Sequence, residues 1–178
     1  MRLLILRHAK SGRPPATDDF DRPLCNEGEA AAPAIGGWIS AHGDEPALVL
    51  CSSARRSKDT LALVLPKFTS KPEIHYQRAL YLAASPALLQ IVRATPPLSP
   101  LMLVGHNPGL QEFGQTLLAR RQPGKAGKRA NEFARKFPTA ALAVIDFPID
   151  AWRAMQPGSG ILADFVRPKG LLRDQESE

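Results

Sequence analysis

Apolar residues in this chain fall in short blocks separated by polar stretches rich in proline and glycine. Residues 2 to 7 (RLLILR), 47 to 51 (ALVLC) and 101 to 104 (LMLV) carry continuous apolar runs of strand length. Such runs mark strands buried on both faces. Glu73 to Tyr76 reads as a short strand, and Ala140 to Phe147 and Leu162 to Val166 as later ones. Between the strands the period changes. Asn26 is a good N-cap residue, and Glu27 to about Ala41 carries Ile35, Trp38 and Ile39 at helical spacing, with Gly43 just past the end. Pro33, Gly36 and Gly37 weaken that helix. Ser52-Ser53 offers a cap for a helix that Pro66 stops, Ser85-Pro86 opens one to about Ala94, and Gly109 to Ala119 forms another.

Strands alternating with helices of this length predict an α/β fold: a three-layer α/β/α sandwich around a mostly parallel central sheet. No internal repeat and no long linker divides the chain, so residues 1–168 read as one domain. Residues 9 to 23, rich in Pro, Asp and Gly, are expected to form a loop. Residues 121–130 are the low-hydrophobicity part of a basic insertion at about 121–137 and read as a loop, and residues 169–178 as a disordered tail.

Composition narrows the class. With 178 residues, 44% hydrophobic and 22% charged, the chain has the balance of a globular domain. Its apolar runs are too short to span a bilayer, and the first lacks the length and cleavage pattern of a signal peptide, so the cytoplasm is the expected compartment. Cys25 and Cys51 lie outside any CxxC spacing and are expected to be reduced thiols. The four histidines, His8, His42, His75 and His106, have no zinc-ligand spacing, so no metal and no cofactor is expected. The net charge of +6 favours anionic partners. Much of it lies between Arg120 and Lys136, where Phe133 is the lone aromatic. Without a stacking platform, nucleic acid is not expected as a partner.

In an open parallel sheet, ligands bind beyond the carboxyl ends of the strands. The first strand ends in Arg7-His8, the second runs into Ser52-Ser53-Ala54-Arg55-Arg56, and the third ends in Gly105-His106-Asn107-Pro108. Arginine forks match paired phosphate oxygens, helix N-termini add N–H donors, and an oriented histidine can act as a nucleophile. Cys51 does not fit a cysteine-phosphatase loop. Such a loop needs arginine at position 57, which is Ser57 here, and Arg56 falls one residue short.

The string Leu6-Arg7-His8-Ala9-Lys10 resembles the RHG-type signature of the histidine phosphatase superfamily. Ser52 to Thr60 is similar to its S-x-x-x-R-x-x-x-T segment, and Val104 to Gly109 resembles its second-histidine motif. Asp21-Arg22-Pro23-Leu24, Leu80-Tyr81-Leu82-Ala83 and Ser85-Pro86 resemble the short SixA-like branch of phosphohistidine phosphatases. The likeness spans roughly residues 2 to 147. It implies a phosphoglycerate mutase-like fold, His8 as nucleophile, and Arg7, Arg56 and His106 as phosphate-binding partners. Ser52, Arg55 and Asn107 are further candidates for substrate contact. Ala9 replaces the usual glycine, and Leu80 to Ala84 lacks the acidic residue of the mutase-like branch, so Asp18, Asp19 and Asp21 are the candidates for a general acid. The implied partner is a phosphorylated protein, including one that carries phosphohistidine. A small-molecule phosphatase acting on a sugar phosphate or nucleotide, and a non-catalytic phosphate-binding module, stand as alternatives.

Overall fold

The computed structural model describes residues 1–175. Its strands are β1 (Arg2–Arg7), β2 (Leu48–Ser52), β3 (Glu73–Gln77), β4 (Leu101–Gly105), β5 (Leu142–Asp146) and β6 (Ile161–Val166). They form one six-stranded sheet in the order β3-β2-β4-β1-β5-β6. The first four in that order are mutually parallel, while β5 runs antiparallel to both β1 and β6. The sheet is therefore mixed but mostly parallel, in the α/β arrangement the sequence predicts.

The helices are α1 (Asn26–Ala41), α2 (Arg55–Val64), α3 (Ser85–Arg93), α4 (Gly109–Leu117), α5 (Gly124–Arg135) and α6 (Pro168–Gln175). Side-chain alternation along the strands sorts the core into two layers. Leu3, Ile5, Leu50, Leu101 and Leu103 face α3, α4 and α5, where they meet Leu88, Val92, Phe113 and Phe133. Leu4, Leu6, Val49, Met102 and Val104 face the opposite side, where Ala32, Ile35 and Ile39 of α1 and Leu61 and Val64 of α2 cover them. Full burial of each Leu, Ile or Val is worth about 1.5–3 kcal/mol. That gain explains why α1 runs unbroken through Pro33, Gly36 and Gly37.

Two sequence expectations are corrected. Residues 121–130 are not simply a loop, because Gly124 onward is helical. Ala126, Ala130 and Phe133 line one face at helical spacing, and Phe133 is fully buried with its ring edge-on to Phe137 and Phe165. Residues 169–175 belong to α6, which packs on α1, with Leu171 against that layer of the core. Residues 176–178 of the expected tail lie outside the described residues. The expected caps also differ. Cys25, Ala54 and Ala84 hold the N-cap positions of α1, α2 and α3, none with a side-chain cap bond.

Candidate active site

The carboxyl ends of β1, β2 and β4 lie side by side, with Arg7 level with Gly105 and Cys51 level with Val104. This register brings the first residues beyond each strand together. The His8 backbone N–H donates to the Gly105 carbonyl at 3.0 Å, and the His8 and His106 rings lie 5.0 Å apart. Two glycines permit close approaches that hold the rim. A Cβ on Gly28 would meet the Lys10 carbonyl at 2.1 Å, and one on Gly109 the Ala83 carbonyl at 1.8 Å. Without side chains, the first turns of α1 and α4 sit directly on the segments flanking the crevice.

His8 is 8% exposed and its Nδ1 lies 2.8 Å from the Ala9 carbonyl. A carbonyl only accepts, so Nδ1 carries the proton and Nε2 is the unprotonated nitrogen. Arg56, 3% exposed, directs Nε to that Nε2 at 3.3 Å. Burial, reinforced by the charges of Arg56, Arg7 and Arg22, lowers the His8 pKa to about 4. The imidazole is thus neutral near pH 7 with its lone pair facing the crevice. Burial also pushes His106 down to about 3, with further contributions from His8 and Arg56.

Ser52, Arg7 and Asn107 complete the inner surface. His106 Nε2 lies 2.8 Å from the Ser52 hydroxyl and 3.4 Å from that of Ser57. Arg7 donates to the Phe137 carbonyl at 2.8 Å, and Asn107 Nδ2 reaches the same carbonyl at 3.1 Å. Among the described residues, three buried side-chain polar atoms have no partner: Arg7 Nε, His106 Nδ1 and Asn107 Oδ1. All three belong to residues at the ends of β1 and β4. Because buried polar groups are normally satisfied, this concentration sets the ends of β1 and β4 apart from the rest of the core.

The acidic loop closes the front. Arg56 donates to the Asp19 carbonyl and, at 3.0 Å, to its carboxylate. Tyr81 donates its hydroxyl to the same carboxylate at 2.6 Å, and Arg22 adds a contact at 3.0 Å. These partners, Tyr81 first and then Arg22, hold the Asp19 carboxyl well below the usual carboxylate range. Asp18 and Asp21 are exposed in the same loop. Arg55 is also exposed, lying 3.5 Å from Asp59 on the outer face of α2 rather than in the crevice.

His42 and His75 stand apart from this cluster. His42 follows α1 and lies 2.8 Å from the Trp38 carbonyl, and His75 pairs with Glu73 at 2.6 Å. The buried Cys51 thiol is pushed up to about 12 and stays protonated. Sequence reasoning did not single out Arg22, Ser57 or Tyr81 as site residues. Arg22 and Tyr81 lie in segments that resemble the SixA-like branch, which is the signal that could have found them.

Comparisons with known proteins bear on the fold and family. No protein-family model matches the chain. A solved structure from Nakamurella multipartita, assigned provisionally as phosphohistidine phosphatase SixA, is 30% identical. It superposes with a TM-score of 0.78 over 94% of this chain and 95% of that one. Its counterpart from Agrobacterium tumefaciens, with the same provisional assignment, is 29% identical, with TM-score 0.78 over 94% and 97% of the two chains. An uncharacterised protein of Mycobacterium tuberculosis is 31% identical over 164 residues, 92% of this chain and 100% of its own length. Among the described residues, no helix is long and apolar enough to cross a membrane.

Proposed function

The chain belongs to the histidine phosphatase superfamily, and on that premise we propose that it is a phosphatase working through a phosphohistidine intermediate at His8. The preferred substrate in this reading is a protein phosphohistidine, as in SixA-like enzymes, and the setting is the cytoplasm. One observation carries the proposal: His8 commits Nδ1 to the Ala9 carbonyl and presents a neutral Nε2 beside Arg56.

The chemistry follows from that geometry. The Nε2 lone pair attacks phosphorus in line, forming a P–N bond to His8 as the bond to the leaving group breaks. Arg7, Arg56 and His106 stabilise the equatorial oxygens, His106 through the Nδ1 that otherwise lacks a partner. Ser52 holds the far side of the His106 ring, and Asn107 helps fix the Phe137 carbonyl to which Arg7 is tied. Water then attacks the phosphorylated His8, releasing inorganic phosphate and restoring the imidazole.

The leaving group is the point at which substrate classes separate. An alkoxide needs a proton from the enzyme. Asp19 is a poor donor because Tyr81, Arg22 and Arg56 hold it ionised. A phosphorylated imidazole already protonated on its other ring nitrogen departs neutral and needs no such help. The ionised Asp19 therefore favours a phosphoramidate over an alkyl phosphate.

The test is single-turnover trapping with a labelled phosphohistidine protein and, in parallel, an aryl phosphate. An alkali-stable, acid-labile label on the protein, absent from His8→Ala, is the expected result. Absence of label and turnover with every phosphorylated probe, from folded protein, would leave only a phosphate-binding module.

A further inference from the structure

A groove of about 810 Å³ does not cover His8 but lies beside it. Its walls are α1, the end of β6 and the first turns of α6, with Arg129 and Lys136 beyond them. Topology puts it on the same edge of the sheet as the crevice. Val166 pairs with Leu142, and Leu142 with Leu6, so the end of β6 is level with the end of β1. Lys10, two residues after His8, lines the groove, and so does Pro138, next to the Phe137 carbonyl that holds Arg7.

Its charge is one-sided. Lys10, Arg129, Lys136, Arg167 and Lys169 line the groove against Glu27 and Asp164. Lys10 pairs with Glu27, Arg129 with Asp164 at 2.8 Å, and Arg167 with Glu132 at 3.2 Å. Among the described residues, the exposed Lys136 and Lys169 make no ion pair. The aromatic faces, in contrast, are already used. Trp38 stacks on His42 at 3.9 Å, and Phe165 is packed against Phe133 and Phe137. Surplus positive charge beside apolar residues such as Ala31 and Leu171, with the Trp38 and Phe165 rings already packed on other rings, suits an acidic polypeptide better than nucleic acid.

We propose that this groove docks an acidic segment of the phosphorylated protein substrate, next to the phosphorylated residue entering the crevice. The inference rests on the phosphatase reading and specifies its partner. The rim is charged and the groove open, so docking acts mainly on capture and weakens as salt screens it.

The experiment uses two phosphohistidine peptides of equal length, one flanked by Asp and Glu and the other by Gln and Ser. At low salt the wild-type protein is expected to favour the acidic peptide in kcat/KM by about tenfold. Lys136→Glu with Lys169→Glu is expected to abolish that preference while hydrolysis of an aryl phosphate stays unchanged, and the paired Gln variants to show an intermediate loss. Equal rates on both peptides, or a preference retained in the double variant, overturn the proposal. A labelled acidic peptide without phosphate reads binding alone, so binding without any turnover would sink the phosphatase reading and spare the groove. Oligothymidine binding more tightly than that peptide would reassign the groove to nucleic acid and overturn the proposal.

Discussion

The crevice at His8 and the groove beside it share one edge of the sheet, yet they treat charge in opposite ways. In the crevice, burial holds both histidines neutral and commits Arg56 to fixed partners. In the groove, Lys136 and Lys169 stay in contact with water. A buried cluster works by geometry, because each group has few alternatives and a low local dielectric magnifies every contact. An exposed one works by field, which salt screens over about 10 Å at 0.1 M. The lesson is that chemistry and selection of partner can lie side by side and still answer to different variables.

Changes in the crevice should give the largest effects. Arg56→Ala removes the group that faces His8 Nε2 and leaves Asp19 without its buried partner. It is expected to lower kcat/KM by about a thousandfold, measured on both a phosphohistidine peptide and an aryl phosphate. A loss confined to the peptide would instead assign Arg56 to docking and break the comparison.

Acid should separate the regions next. Burial holds the folded pKa of His8 at about 4 and that of His106 at about 3, both below the ordinary imidazole value of 6.5. As pH falls from 6.5 toward 4, the unfolded chain binds protons that the folded protein refuses. Stability is therefore full above 6.5, declines through that window, and is reduced by on the order of a few kcal/mol at its lower end. Denaturant midpoints measured from pH 7.5 to 4.5 would show the decline. His8 protonation should lower kcat/KM only as pH approaches about 4, and an activity loss centred near 6.5 would show the imidazole to be exposed to solvent in the working protein.

The smallest effect belongs to Arg55→Ala. Arg55 lies next in sequence to Arg56 but is exposed and faces Asp59. Its loss should change stability by less than about 0.5 kcal/mol and turnover by less than about twofold. A loss of tenfold or more in peptide hydrolysis would bring Arg55 into substrate contact.

Much of this arrangement was legible in the sequence because it rests on short-range pattern. Apolar runs such as Leu3 to Leu6 identified the parallel strands, and the strand-end rule pointed to His8, Arg56 and His106. The antiparallel course of β5 between β1 and β6 was not legible, since a buried apolar run has no direction. The helix at Gly124 was hidden because a lone Phe133 carries its apolar face, supported by small alanines that give little hydrophobic contrast. The roles of Tyr81 and Arg22 depend on where the 9–23 loop folds back. Tyr81 and Asp19 are 62 positions apart, and no local period reports such a closure.

Asp19 has a consequence for the whole turnover cycle. With its carboxylate on Arg56, the resting crevice carries its own counter-ion. Under the phosphatase reading, a weakly binding anion such as chloride has to compete with a tethered carboxylate, whereas a phosphoryl group can displace it through more contacts. In that reading, the same carboxylate can retake Arg56 when inorganic phosphate departs, so one ion pair would bear on both entry and product release.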